Sequence, residues 1–89
     1  MGWTIKLEDA ALKELKKIGK TDARRIVDFL SKRVAPLKDP RSIGQALKGP
    51  HLGKFWKYRV GDYRIICDIQ DKVLLVLVVR VANRRDAYK

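Results

Sequence analysis

Lys54-Phe55-Trp56-Lys57-Tyr58-Arg59-Val60-Gly61-Asp62-Tyr63-Arg64-Ile65-Ile66-Cys67-Asp68-Ile69 reverses once, at Gly61-Asp62. On both sides of that dipeptide the pattern has the two-residue period of a β-strand. Glycine at the first central position of a two-residue loop favours a type II′ turn, so Lys54–Val60 and Tyr63–Ile69 read as a hairpin. Counting back from the loop pairs Val60 with Tyr63, Arg59 with Arg64, Lys57 with Ile66 and Phe55 with Asp68. Alternation then puts those six residues from Phe55 to Asp68 other than Val60 and Tyr63 on one face. Trp56, Tyr58, Val60, Tyr63, Ile65, Cys67 and Ile69 share the other. The second set is apolar and aromatic and needs a covering layer. The first is a basic cluster on an open face.

The covering layer lies upstream. Trp3-Thr4-Ile5-Lys6-Leu7 alternates as a short strand with Trp3, Ile5 and Leu7 inward. Glu8 or Asp9 caps a helix whose apolar positions Ala11, Leu12, Leu15 and Ile18 recur at helical spacing, and Gly19 ends it. Thr21 caps a second helix with a stripe of Ile26, Val27, Leu30 and Val34 and with Phe29 beside it. Pro36 stops this helix, because the residue before proline avoids helical dihedrals. With only Gly19 and Lys20 between them, the helices form an antiparallel hairpin. Residues 36–53 hold all three prolines and three glycines and read as a loop, with a helical turn near Ser42–Leu47. Val73–Ala82 is a nearly all-apolar strand, as expected of a central one. The order is β-α-α-β-β-β, an α+β fold with a helix hairpin on one face of a small, mainly antiparallel sheet. One domain over 1–89 is expected at this length.

Composition narrows the function. The 89 residues carry 21 Lys and Arg against 10 Asp and Glu, a net charge of +11, with 46% hydrophobic residues. That charge calls for a soluble polyanion, first nucleic acid and second an acidic protein. The lone Cys67 excludes an intramolecular disulfide and a Cys-based zinc site. The apolar run Val73–Val79 is far short of the roughly 18–20 residues that span a bilayer, so no membrane partner is expected. No secretory signal is expected either, and Lys6 stands where a myristoylation motif wants Ser or Thr. No Ser-His-Asp set, metal-ligand cluster or phosphate-binding glycine loop is present, so neither cofactor nor metal is expected. His51, in a Gly/Pro loop, reads as a surface residue.

Arg59 opposite Arg64 is a repulsive cross-strand pair. Either an anion offsets it, or the guanidiniums splay into solvent or pair with Asp62 or Asp68. An anion that suits such a cluster is a phosphodiester. In RNA the 2′-OH nucleophile belongs to the substrate, so the protein needs only positioning, charge stabilisation and proton transfer. Lys57 is the candidate base. Arg84 and Arg85 emerge at one end of the sheet with Tyr88, whose ring could stack on a base. Lys13, Lys16, Lys17, Lys20, Arg24 and Arg25 form the solvated backs of the helices, within reach of backbone phosphates.

Several segments in order resemble the RelE toxins of the RelE/ParE toxin–antitoxin superfamily. They are Ala10-Ala11-Leu12-Lys13-Glu14-Leu15 with Lys17-Ile18-Gly19, Ala46-Leu47-Lys48-Gly49, Trp56 to Ile65, Val73–Val81, and Arg84-Arg85-Asp86-Ala87-Tyr88. The resemblance implies the same fold and a cytoplasmic, metal-independent mRNA endonuclease. Such an enzyme cuts messages in the ribosomal 30S A site by 2′-OH attack, among rRNA, and a RelB-like acidic antitoxin neutralises it. By this likeness Lys57 matches a catalytic lysine. Arg59 matches a second basic position that is usually lysine, which argues against proton abstraction there. Arg64 matches the arginine holding the scissile phosphate, Arg84 or Arg85 the arginine after the last strand, and Tyr88 the terminal tyrosine. The spacing to Tyr88 is shorter than in the type member, and the sequence leaves no length for a C-terminal helix. The other branch, ParE, implies a non-nuclease inhibitor of DNA gyrase, whose members generally lack these basic sheet residues.

Overall fold

The computed structural model describes residues 2–49 and 53–83. Strand β1 (Thr4–Leu7) leads into helices α1 (Asp9–Lys17) and α2 (Lys20–Phe29). A two-residue strand β2 (Gln45–Ala46) precedes β3 (Phe55–Val60), β4 (Tyr63–Gln70) and β5 (Leu75–Asn83). The sheet order is β1-β5-β4-β3-β2, with β1 parallel to β5 and every other pair antiparallel. Interior strand β5 is the apolar one, as its composition requires.

The hairpin register is the one read from the sequence, including Arg59 opposite Arg64 and Lys57 opposite Ile66. Gly61 has φ 59° and Asp62 has no positive φ, the pattern of a type II′ turn. Tyr58, Ile65, Cys67 and Ile69 are buried with Ala11, Leu15, Ile26, Leu30 and Val34 in the core beneath the helices. Trp56, Val60 and Tyr63 pack at its margin. Burial pushes the Cys67 thiol up to about 12, so it is an inert core residue and not a nucleophile.

Local details depart from the sequence reading. Helix α2 starts at Lys20, with Gly19 (φ 93°) as its N-cap and the Gly19 carbonyl accepting from the Ala23 N–H, so Thr21 lies inside the first turn. Leu12 and Val27 are exposed at 41% and 43%, off the buried stripes. Ile26, Leu30 and Val34 are four residues apart and align on the core, which turns Val27 outward. Phe29 takes the inner place, edge-on to Tyr58 at 5.9 Å. After Phe29 the helix widens into a π turn, Leu30–Val34, that ends before Pro36. The turn placed near Ser42–Leu47 is instead a 3₁₀ turn at Pro40–Ser42, followed by β2. Strand β5 begins at Leu75, not Val73, because Asp71–Val73 forms a 3₁₀ turn closed by Leu74 in the left-handed region (φ 50°, ψ 48°). A register shift opposite Ile66/Cys67 moves the buried positions of β5 from Val76 and Val78 to Val81.

Three bonds hold the loop before β2 onto the sheet. The buried Tyr58 hydroxyl donates to the Pro40 carbonyl at 2.6 Å, and Trp56 Nε1 donates to the Ile43 carbonyl at 2.7 Å. Arg41 grips Asp71 with both Nη atoms, at 2.8 and 2.9 Å. Bonded to Arg41, the Asp71 carboxyl is held below its ordinary value. A carboxylate lowered in the folded state contributes stability above its unfolded pKa of about 3.9, and that stability is lost as pH falls through the lower folded value. The pair is exposed, so the effect is small. Urea midpoints of the parent and Asp71→Asn are expected to differ at neutral pH and to converge around pH 2.

Candidate active site

The type II′ turn sets the geometry of the site. By fixing the register it places Arg59 and Arg64 side by side and Lys57 two residues back on the same face, away from the helices. Strand β2 starts only at Gln45, opposite Lys57, and runs to Ala46, opposite Trp56, so the last residues of β3 have no strand partner on that edge. There a cleft of about 450 Å³ opens, lined by Phe29, Arg33, Ile43, Gly44, Gln45, Lys57, Tyr58, Arg59 and Arg64. A smaller hollow of about 80 Å³ adjoins it at the turn, between Arg59, Gly61, Asp62, Tyr63 and Arg64.

Among the described residues no carboxylate lines the main cleft, which holds three arginines and a lysine. Among the described residues neither Lys57, Arg59 nor Arg33 forms an ion pair. Asp68 accepts instead from the Gln70 amide at 3.2 Å, and Arg59 Nε reaches only the Gly61 carbonyl at 3.4 Å. Of the two alternatives left open by the sequence, carboxylate pairing is therefore not used by Arg59. A cavity lined by Arg33, Lys57, Arg59 and Arg64 is a basic one, and its charge favours a bound anion.

The turn itself is braced from the helix side. Tyr63 donates to Asp22 at 2.9 Å, and Asp22 also faces Arg25 at 3.8 Å. This bond to a carboxylate favours the protonated phenol, so Tyr63 is raised above its ordinary value. The brace ties α2 to the start of β4 one residue from Arg64, which limits how far that guanidinium can stray.

Arg33, Phe29, Ile43, Gly44 and Gln45 were not singled out by the sequence. Nothing local separates Arg33 from Lys32, since only the packing of α2 against β3 turns one of them to the cleft. Gly44 did carry a signal, a glycine in a Pro/Gly loop, but its use depends on β3. A Cβ there would lie 2.5 Å from the Lys57 carbonyl oxygen and 2.6 Å from Trp56 Nε1. His51, Arg84, Arg85 and Tyr88 lie outside the described residues. No group of three or more His, Cys, Asp or Glu that could hold a metal occurs among the described residues. No helix among them is long and apolar enough to cross a membrane.

Comparison with known proteins gives the same frame. The family described as "ParE toxin of type II toxin-antitoxin system, parDE" matches residues 5–88. Toxin RelG of Mycobacterium tuberculosis is 27% identical over 89 residues, spanning 100% of this chain and 99% of that protein. The toxin–antitoxin complex RelBE2 of M. tuberculosis superposes with a TM-score of 0.83 at 24% identity, covering 94% of this chain and 93% of that one. A mutant of the E. coli toxin RelE bound to an antitoxin RelB peptide superposes at 0.74 and 24% identity, covering 99% and 92%. At these identities the structural likeness establishes the fold.

Proposed function

The chain belongs to the ParE toxin family of type II toxin–antitoxin systems, within the RelE/ParE superfamily, and from that premise we propose that it is a cytoplasmic, metal-independent endoribonuclease that cuts mRNA in the ribosomal A site. The observation that carries this reading is the convergence of Lys57, Arg59 and Arg64 on one cleft. A scissile phosphate seated there meets two guanidiniums side by side. As the 2′ oxygen attacks phosphorus and the bond to the 5′ oxygen breaks, negative charge grows on the phosphoryl oxygens. Arg64 and Arg59 neutralise it from fixed positions. Lys57, as the neutral amine, takes the 2′ proton, and the departing 5′ oxygen takes a proton from water. Arg84 or Arg85 and Tyr88, from the resemblance, would complete the site by binding and orienting the message. The domain 1–89 acts as a single unit.

A partner of opposite sign follows from the +11 charge. Two of the similar structures are toxins bound to antitoxin chains. We assign this chain an acidic RelB-like antitoxin that covers the basic cleft, because complementary charge speeds such association. The second reading, inhibition of DNA gyrase, is favoured by the ParE name of the matching family.

One experiment separates the two. On induction, translation is expected to stop first, with message ends mapping inside reading frames in a ribosome-dependent way, and co-expression of the acidic partner should restore growth. Continued translation with collapsing plasmid supercoiling would instead establish the gyrase reading.

A further inference from the structure

The cleft does not stop at the open face. Because β2 is only two residues long, the β3 edge beyond Lys57 is left open, and the cavity passes round it to the helix side. On that side it is lined by Phe29, Ile43 and Arg33, whereas Gln45, paired with Lys57, belongs to the open face. Arg33 comes from the π turn Leu30–Val34, a widened helical turn of the kind found often at functional sites. It is exposed and has no ion-pair partner among the described residues. An apolar wall and a guanidinium without an ion-pair partner among the described residues, continuous with a basic cluster, fit one ligand chemistry. That ligand is a flat ring carrying a phosphate.

We propose that the helix-side half of the cleft is a second nucleotide subsite, in which Arg33 holds the phosphate next to the scissile one and Phe29 and Ile43 take its base. This rests on the reading of the open face as an RNA site. The strand would bend round the β3 edge, with consecutive phosphates on opposite sides of it. The volume, about 450 Å³, is within the range of small-ligand sites. Bending also splays the bases apart, which is how single-stranded RNA is commonly read.

The test uses the full chain and an uncleavable 2′-fluoro pentanucleotide at low salt. Arg33→Ala is expected to weaken binding about tenfold, the loss of one charged hydrogen-bonding group. The slope of log affinity against log salt should fall by about 0.7, one phosphate contact on a single strand. Arg33→Lys should restore the slope while recovering only part of the affinity, since the charge returns without the fork. Lys32→Ala, on the same turn but not lining the cleft, should change neither. Removing the base at one position beside the scissile linkage should cost the parent affinity and cost Arg33→Ala the same, since phosphate and base contacts are separate.

Parent-like binding by Arg33→Ala, an equal loss in Lys32→Ala, or no binding by the parent would overturn the subsite. So would equal binding of an acidic peptide of matched charge, which would make the helix side a protein surface. The two readings fail separately. Cleavage that depends on Arg64 with affinity indifferent to Arg33 removes the subsite alone. Affinity that depends on Arg33 in a protein that never cuts RNA removes the nuclease and leaves a nucleotide site.

Discussion

Arg64→Ala is expected to fold and to be close to harmless when expressed. Arg64 lines both the main cleft and the hollow at the turn, directly opposite Arg59. A charge donor fixed where charge develops in the transition state typically contributes on the order of 10²–10³ in rate. On the proposed mechanism its interaction would strengthen as the 2′ oxygen attacks, so its loss should appear in the chemical step and not only in binding. The side chain is only partly buried, and surface substitutions usually change stability by about 0.5 kcal/mol or less. For a chain of this size that corresponds to a melting shift of roughly 2–4 °C. Arg64→Lys keeps the charge without the two-pronged geometry and should regain part of the activity. A growth assay and message-end mapping beside a thermal melt provide the check. Full toxicity in a well-folded Arg64→Ala protein would remove this residue from the mechanism.

Gly44→Ala should fail for the opposite reason, through the fold. Gly44 has φ 83°, a region where a side chain costs about 1–2 kcal/mol. The added Cβ would also meet the Lys57 carbonyl oxygen at 2.5 Å, Trp56 Nε1 at 2.6 Å and Tyr58 Cδ1 at 2.9 Å. Backbone and two packed rings cannot all step aside, and overpacking of this kind costs about 1–3 kcal/mol. Together about 2–5 kcal/mol is at stake, against a total stability of about 5–15 for a typical domain. The expected outcome is a large fall in the urea midpoint with loss of toxicity, because the contact that breaks is the one that seats β2 beside Lys57. Gly49→Ala is the control. Its added Cβ would meet nothing within 4 Å, although its φ of 120° is equally unusual, so it isolates the backbone cost from the clash.

These two residues mark what could and could not be read from the chain alone. Arg64 was legible because a hairpin is local. The turn residues and the two-residue period fix which side chains oppose each other without knowledge of any other element, and Lys57, Arg59 and Arg64 follow. The same logic gave both helices and the central position of β5. The loop over 36–53 was opaque because β2 exists only through its pairing with β3 and the Trp56–Ile43 bond, contacts made at a distance in sequence. Arg33 was missed because an exposed cation at a helix end looks like any other until the sheet is beside it. The irregularity in β5 was hidden for a related reason, since an all-apolar strand shows no alternation to interrupt. Arg84, Arg85 and Tyr88 were singled out by their position after the last strand and given roles by the family likeness, and they lie outside the described residues.

The parallel pairing of β1 with β5 governs when the molecule can be finished. Thr4 lies beside Leu75 and Leu7 beside Val78, so the first strand made is joined by the last. During synthesis the helices and then the β3–β4 hairpin can form from near neighbours, whereas residues 4–7 must wait for a loop of some seventy residues to close. Pairings of such long sequence separation slow folding. Until that closure the apolar edge of β5 has nothing beside it on one side, and an unpaired strand edge invites intermolecular association. A chain in that state has its cationic hairpin before its completed sheet, and anything able to shield the edge of β5 would aid folding.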